Sequence, residues 1–274
     1  MTKLKKIALT IAGSDSGGGA GIQADLRTFC CHRVHGMTAI TCVTAQNTLG
    51  VTRVDPLSPA AVVAQIDAVM NDIGAGAAKT GMLLAEDIIE AVALQVKKWD
   101  IDLLVVDPVM VSRTGAQLID DRAIAALKEL LLPLATIVTP NRYEAQILSG
   151  LTIDTLEDMQ EAARIIYQLG ASAVLVKGGA MKGSLKGVDI WFDGREIKIL
   201  QTTLVETIHT HGTGCTLSAA ISANLALGKN LPVAVEEAKN YVTRALKSAL
   251  DIGKGIGPVG AVGEWESGRG GEGE

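Results

Sequence analysis

The sequence predicts an α/β domain, a mostly parallel central sheet flanked by helices on both faces. Three observations carry this. Short β-branched runs alternate with amphipathic stretches along most of the chain, the pattern of strands joined by crossover helices. The first such run, KIALTIA at 6–12, reads as a buried strand. Polar clusters recur just past the predicted strands, where open α/β sheets bind their ligands.

Taken in order, Lys6 to Ala12 is the first strand and Gly13 to Gly21 (GSDSGGGAG) a glycine-rich loop. Ile22 to His32 reads as a helix with Ile22, Leu26 and Phe29 on one face, and Met37 to Ala45 as a β-branched strand. Ser58 to Ile73 is helical, with Ser58 as N-cap and Pro59 at the first helical position. Ala77 to Gly81 is a short strand, and Ala85 to Trp99 a helix with Ile88, Ile89, Val92 and Val96 in register. Leu103 to Val106 is a strand ending at Asp107-Pro108, Asp121 to Leu131 a helix, and Ile137 to Thr139 a strand ending at Pro140-Asn141. Tyr143 to Leu148 and Thr155 to Leu169 are helices, and Ala173 to Val176 is a strand ending at Lys177. Asp193-Gly194 between Val188–Phe192 and Glu196–Leu200 marks a hairpin. Thr216 to Leu227 is a helix whose packed face is Leu217, Ala220, Ile221, Ala223 and Leu227, and Pro232 to about Leu250 is the last one. One domain over 1–252 is expected, followed by a glycine-rich tail, 253–274, disordered at its end.

Composition narrows the function classes. The chain has 274 residues, 48% of them hydrophobic and only 3% aromatic, so aliphatic side chains must build the core. A formal charge of −5 argues against a general nucleic-acid binder. No apolar run is long enough to span a bilayer, and no signal peptide is evident. Cys30, Cys31, Cys42 and Cys215 form no C-x-x-C pair and are not bracketed by histidines at zinc-ligand spacing, so a reduced, cytoplasmic protein is expected.

The chemistry concentrates at His209-Thr210-His211-Gly212-Thr213-Gly214-Cys215, directly before an apolar helix. Two glycines two residues apart let the backbone turn sharply and aim several N–H groups one way. At the positive end of a helix such amides receive an anion, and the same field is expected to ease ionisation of the Cys215 thiol. The bland alternative is a small buried cysteine capping a core helix. Elsewhere on the same predicted edge, Asp107, Asn141 and Glu144 suit Mg²⁺, which takes oxygen ligands. Lys177 can neutralise a phosphate as a point charge. Together these are the parts of phosphoryl transfer. Singly, Asp107 could start a turn, Asn141 cap a helix, and Glu144 and Lys177 be surface charges.

Rival readings are weaker. GSDSGGGAG could cradle a phosphate, and Gly19 to Ala24 satisfies G-x-G-x-x-A. No acid follows at the end of the second strand, as a dinucleotide site requires. No Gly-Lys-Ser or Gly-Lys-Thr occurs, which argues against a P-loop ATPase. A cysteine hydrolase or acyltransferase using Cys215 with His211 or His209 as base is the alternative from another enzyme class. A nucleotide-binding module without turnover is the non-catalytic one.

A family resemblance then brings the parts together. ALTIAGSDSGGGAGIQADL (8–26), VTAQNTLGV (43–51), KTGML (79–83), DPVM (107–110), TPNRYEA (139–145), VLVKGG (174–179) and HGTGCTLSAAI (211–221) occur in the order of the hydroxymethylpyrimidine/phosphomethylpyrimidine kinases. The chain resembles that thiamine-pathway family of the ribokinase-like superfamily up to about residue 250. The resemblance implies a ribokinase-like fold and ATP-dependent phosphorylation of 4-amino-5-hydroxymethyl-2-methylpyrimidine, then of its monophosphate. By position it implies that Gly13, Asp25, Gln46, Met82 and Val109 line the pyrimidine site. It puts Cys215 where sugar-kinase relatives carry an aspartate base, and makes Gly212, Thr213 and Gly214, with Lys177, the phosphoryl cradle. It implies that Asn141 and Glu144, beside Asp107, hold ATP and Mg²⁺, directly or through water. It implies a homodimer, and no nucleic-acid or membrane partner. Ser16-Gly17 stands where the family often has proline and serine. Close relatives with the same turn phosphorylate pyridoxal or pyridoxine, which leaves that substrate class open as an alternative.

Overall fold

The computed structural model describes residues 6–111 and 117–263. Nine strands form one sheet in the order β3-β2-β1-β4-β5-β6-β7-β8-β9. They are β1 (Ile7–Asp15), β2 (His35–Asn47), β3 (Gly50–Pro56), β4 (Ala77–Thr80), β5 (Leu104–Val106), β6 (Ile137–Val138), β7 (Val174–Val176), β8 (Asp189–Phe192) and β9 (Ile197–Leu200). The six from β2 through β1 and β4 to β7 run parallel; β3 and β8 run against them, and β9 pairs antiparallel with β8. Parallel strands need crossover helices. Helices α2 (Pro59–Asp72), α3 (Glu86–Lys98), α4 (Asp121–Ala126), α5 (Arg142–Ser149) and α6 (Leu156–Tyr167) share one core with the sheet. Helices α1 (Gly21–Cys31), α7 (Thr213–Ala226) and α8 (Leu231–Lys247) share a second core on the other face. The chain leaves β1 toward β2 on one side and returns to β4 on the other, so the strand order reverses beside β1. A crevice opens at such a point, beyond the carboxyl ends of the strands.

Three segments differ from the sequence reading. β3 has no counterpart in it, because VTRV carries a charge and lies between turn residues. Its strand character comes from the antiparallel ladder with β2, and all seven of its residues are exposed. The helix expected over Asp121 to Leu131 is α-helical only to Ala126, then widens to a π-turn at Leu127–Leu131 and tightens to a 3₁₀ turn before Ala135. α7 starts at Thr213, not Thr216, since Gly212 at φ 80° is its N-cap. The expected single packed face of α7 is also corrected. Thr216 to Ala226 is buried all round, because the helix lies between the sheet, α1 and α8.

The beginning of the glycine-rich tail is part of the domain's surface. Leu250 N–H donates to the Pro258 carbonyl, Ile256 N–H to that of Thr48, and Gly260 N–H to that of Ala245. His211 and Val259 bond through their main chains as well. Periodicity could not reveal this segment, which is held by main-chain bonds rather than by a hydrophobic stripe. The end expected to be disordered, 264–274, lies outside the described residues.

Candidate active site

Gly212, Thr213, Gly214 and Cys215 form the entry to α7. A side chain at Gly212 would collide with the carbonyl oxygen of Gly19, so this turn closes only against a bare backbone. The Thr213 N–H and hydroxyl both go to the Thr210 carbonyl, at 3.3 and 2.7 Å. The amides of Gly214 and Cys215, second and third in the helix, have no intrahelical acceptor. Among the described residues they find no protein acceptor, and they lie at the positive end of the helix. Gly214 sits under a cation, since a Cβ there would lie 3.3 Å from Lys177 Nζ.

The neighbouring glycine loop is closed to a phosphate. The Asp15 carboxylate takes the N–H of Gly17 at 2.8 Å, of Gly19 at 3.0 Å and of Ala20 at 2.8 Å. His211 Nε2 lies 2.9 Å from the same carboxylate. Burial works against the Asp15 charge, but His211 and these amides hold its carboxyl below the ordinary value. An internal anion therefore satisfies the loop, which then braces the turn around His211. His211 points its Nε2 at Asp15, while His209 accepts the Gly257 N–H at Nδ1 and faces Asp251.

Asp107, at the end of β5, is the hub of the charged cluster. Its Oδ1 accepts from Lys177 Nζ at 2.9 Å and its Oδ2 from the Ser218 hydroxyl at 3.2 Å. Ser218 is one residue that sequence reasoning missed, its hydroxyl hidden within an apolar helix pattern. Glu144 is buried, with one oxygen accepting Asn141 N–H at 2.8 Å and the other Met110 N–H at 3.2 Å. Burial pushes the Glu144 carboxyl up to about 7, against the pull of Lys177 and with added repulsion from Asp107. Asn141 caps α5, accepting from Tyr143 N–H and Glu144 N–H, and Glu144 returns the bond in a capping box. The capping role weighed for Asn141 is thus real, and it aims Glu144 at Asp107 rather than at solvent.

Of the residues expected to line the substrate site, Gly13 lies near the end of β1 beside Met82. A Cβ on Gly13 would fall 2.7 Å from Cys42 Sγ and 3.1 Å from Met82 Cε, so glycine keeps this floor thin. Gln46 is partly exposed, its amide held between the Thr44 hydroxyl and His211 at 3.2 Å each. Val109 is partly exposed at φ 44°, a costly conformation for a β-branched residue and one found mainly at functional sites. Asp25 requires a correction. It is 0% exposed, with its oxygens taken by the Thr10 hydroxyl at 2.7 Å and Lys79 Nζ at 3.1 Å. It is therefore closed off from solvent and does not line an open site. Lys79, which the sequence reading passed over, is buried with it. A lysine inside a buried apolar strand was the available signal.

The Cys215 thiol also departs from expectation. Burial pushes it up to about 11, with Asp25 and Asp107 raising it, while Lys79 and the Gly21 N–H oppose them. Burial is the largest cause, and a place at a helix start does not offset it.

Comparison with known proteins agrees with this geometry. The phosphomethylpyrimidine kinase family model matches residues 15–260. The chain is 61% identical over 254 residues to the hydroxymethylpyrimidine/phosphomethylpyrimidine kinase of Synechococcus elongatus, covering 93% of this chain and 96% of that one. It superposes on the ADP complex of Bacillus subtilis pyridoxal kinase with a TM-score of 0.87 at 42% identity, covering 93% and 96% of the two chains. It superposes on Clostridium difficile phosphomethylpyrimidine kinase with a TM-score of 0.78 at 43% identity, covering 88% and 99%. With the sheet, the turn and the charged cluster all in place along the matched span, this chain belongs to the phosphomethylpyrimidine kinase family.

Proposed function

We propose that this kinase transfers the γ-phosphoryl group of ATP to the hydroxymethyl oxygen of 4-amino-5-hydroxymethyl-2-methylpyrimidine, and then phosphorylates the monophosphate to the diphosphate. The observation that carries this reading is the convergence of the free Gly214 and Cys215 amides with Lys177 and Asp107 at one strand-end crevice. Phosphoryl transfer passes through a loose transition state, so positioning and charge stabilisation do most of the catalysis. The amides and Lys177 receive the transferring group. Gln46 offers its amide to the polar edge of the ring, and Met82 and Val109 contact its faces. Cys215 takes the proton from the hydroxymethyl oxygen as that oxygen attacks phosphorus, and ADP leaves with the bonding electron pair. His211, Asp15 and Asn141 position these groups without touching the reacting atoms.

The donor set fits Mg²⁺. Asp107 and Glu144 are buried oxygen donors, and burial, with added repulsion from Asp107, raises the Glu144 carboxyl to about 7, a cost that a cation beside it would relieve. Among the described residues no group of three or more His, Cys, Asp or Glu side chains forms a metal cage. This suits a cation carried in with a nucleotide and completed by water. Asp107 and Glu144 would hold it, directly or through water, and it would neutralise the phosphate oxygens.

A homodimer completes the reading. The β2–β3 edge carries exposed Val43, Leu49, Val51 and Val54, an apolar surface of the kind a second copy covers. Among the described residues no helix is long and apolar enough to cross a membrane. The decisive experiment is ADP release with a panel of hydroxymethyl heterocycles, pyridoxal and pyridoxine included. The pyrimidine and its monophosphate are expected to have the highest kcat/KM. A preference for pyridoxal would overturn the substrate assignment.

A further inference from the structure

Residues 250–260 have no part in the chemistry derived above, yet they are built against it. The Leu250 N–H donates to the Pro258 carbonyl at 2.9 Å, which closes the segment into a compact loop whose ends meet. Its outer part reaches the connection between β2 and β3. Ile256 N–H donates to the Thr48 carbonyl at 3.0 Å, and Gly255 N–H to the Thr48 hydroxyl at 3.2 Å. Its returning part runs beside the turn before α7. His211 N–H donates to the Gly257 carbonyl at 3.1 Å and Val259 N–H to the His211 carbonyl at 3.0 Å, so both main-chain groups of His211 bond to this loop. Gly257 N–H donates to His209 Nδ1 at 3.0 Å.

The fit is too close for side chains. A Cβ on Gly255 would stand 2.1 Å from the Thr48 carbonyl oxygen, and one on Gly257 1.9 Å from that of Leu250. Ordering a glycine-rich segment costs more backbone entropy than ordering any other, so stability alone is a poor reason to fix one here. Pro258 packs on the remaining side. A Cβ on Gly19, in the loop held by Asp15, would lie 3.2 Å from the Pro258 Cβ and 2.2 Å from His211 Cδ2. One segment thus lies against the β2–β3 connection, the glycine loop and the turn before α7. These three meet at His211, whose Nε2 is 2.9 Å from Asp15 and 3.2 Å from the Gln46 amide nitrogen. Gln46 stands two residues from Thr48. Among the described residues, the hydrogen bonds of 250–260 reach no residue of β5 or β7, at whose ends Asp107 and Lys177 stand.

We infer that the 250–260 loop is a positioning element: anchored at Thr48 and at His211, it sets the separation of Gln46 from the Gly212–Cys215 turn, and so the place of the acceptor's hydroxyl against the transferring phosphoryl group. This rests on the reading of Gln46 as the contact to the acceptor ring. The loop touches no reacting atom. Its effect falls on the acceptor, because the attacking oxygen must be held about 3–3.5 Å from phosphorus and a misplacement of about 1 Å costs on the order of 10²-fold in rate. The nucleotide side, held from the ends of β5 and β7, does not depend on it.

The test pairs kinetics with a direct measure of loop attachment. Lys254 is exposed on the outer part of the loop, so trypsin cleavage after it, followed by mass spectrometry, reports detachment. Gly255→Ala drives a methyl group into the Thr48 carbonyl, and Thr48→Val removes the hydroxyl that accepts the Gly255 N–H. Each is expected to speed that cleavage at least fivefold. Each should also raise the KM of the acceptor that the heterocycle panel prefers at least fivefold and lower kcat, with the KM for ATP changed less than twofold. Thr48→Ser keeps the hydroxyl and should stay near the wild type in cleavage and kinetics alike. Faster cleavage with unchanged acceptor kinetics would overturn the inference, as would equal rises in both KM values or a cleavage rate that does not move. Should Thr48→Val not fold, Gly255→Ala carries the test. Gln46→Leu with an unchanged acceptor KM would instead sink the reading of Gln46, a result that the cleavage data do not depend on.

Discussion

Lys177 and Asp107 are 70 residues apart in sequence and 2.9 Å apart in space, at the ends of β7 and β5. The pair is nearly closed to solvent, with side-chain exposures of 11% and 3%. Asp107 also lies near Glu144, so Lys177 is the cation that lets two carboxylates share the crevice. Breaking one partner of a buried pair costs about 3–5 kcal/mol, because the other charge is left uncompensated. Removing a single group that stabilises developing charge costs about 10²–10³ in kcat.

Lys177→Met is therefore expected to lose stability of about 3 kcal/mol and turnover of about 10²-fold. Adding Asp107→Asn should recover stability but not turnover. Thermal unfolding beside steady-state kinetics separates the two. A double variant no more stable than Lys177→Met would show that the pair is not what holds this edge together.

Glu144 makes stability fall with rising pH. Its folded value, about 7, lies above the ordinary 4.5, so the native state keeps a proton that the unfolded chain has released. The contribution is whole below about pH 4.5 and is lost as pH climbs through 7, on the order of 3 kcal/mol across that window. Without Mg²⁺ and nucleotide, melting temperature should drop between pH 5 and 8. Glu144→Gln should flatten that drop and raise the Mg²⁺ needed for turnover. An unchanged slope in the variant would remove Glu144 as its source.

Cys215→Ala should lose about 10²–10⁴ in kcat, the usual contribution of a proton acceptor, with ATP affinity kept. Cys215→Asp should regain part of that loss, since a carboxylate accepts a proton but is a poor substitute for a thiolate nucleophile. With the thiol near 11, alkylation should be slow at pH 7 and climb steeply above pH 9. A phosphoryl- or acyl-thiol trapped on Cys215 during turnover would mean covalent catalysis instead.

Gln46→Leu should raise the pyrimidine KM far more than the ATP KM, because a site built for a polar edge leaves its own groups unpaired without it. The variant also frees His211 from a 3.2 Å contact, so a modest fall in kcat is expected. Equal losses for both ligands would put Gln46 outside the substrate pocket.

The sequence by itself determined the fold class and the shape of the Gly212–Gly214 turn. Both are written locally. Parallel strands buried on both faces need uninterrupted apolar runs, and an anion hole needs Gly212 and Gly214 directly before a helix. The positions of Asp107, Asn141, Glu144 and Lys177 were legible for the same reason, because every parallel strand delivers its last residue to one edge. What the tertiary structure decided were the partnerships across that edge. Asp15 fills its own glycine loop, Asp25 is closed off from solvent against Lys79, and the segment around Pro258 returns to pair with His211. The Cys215 thiol shows the division most directly. Its place at a helix start predicts easier ionisation, but a local field is only one contribution. The desolvation and carboxylates that outweigh it come from α1 and β5, which no stretch of sequence around Cys215 contains.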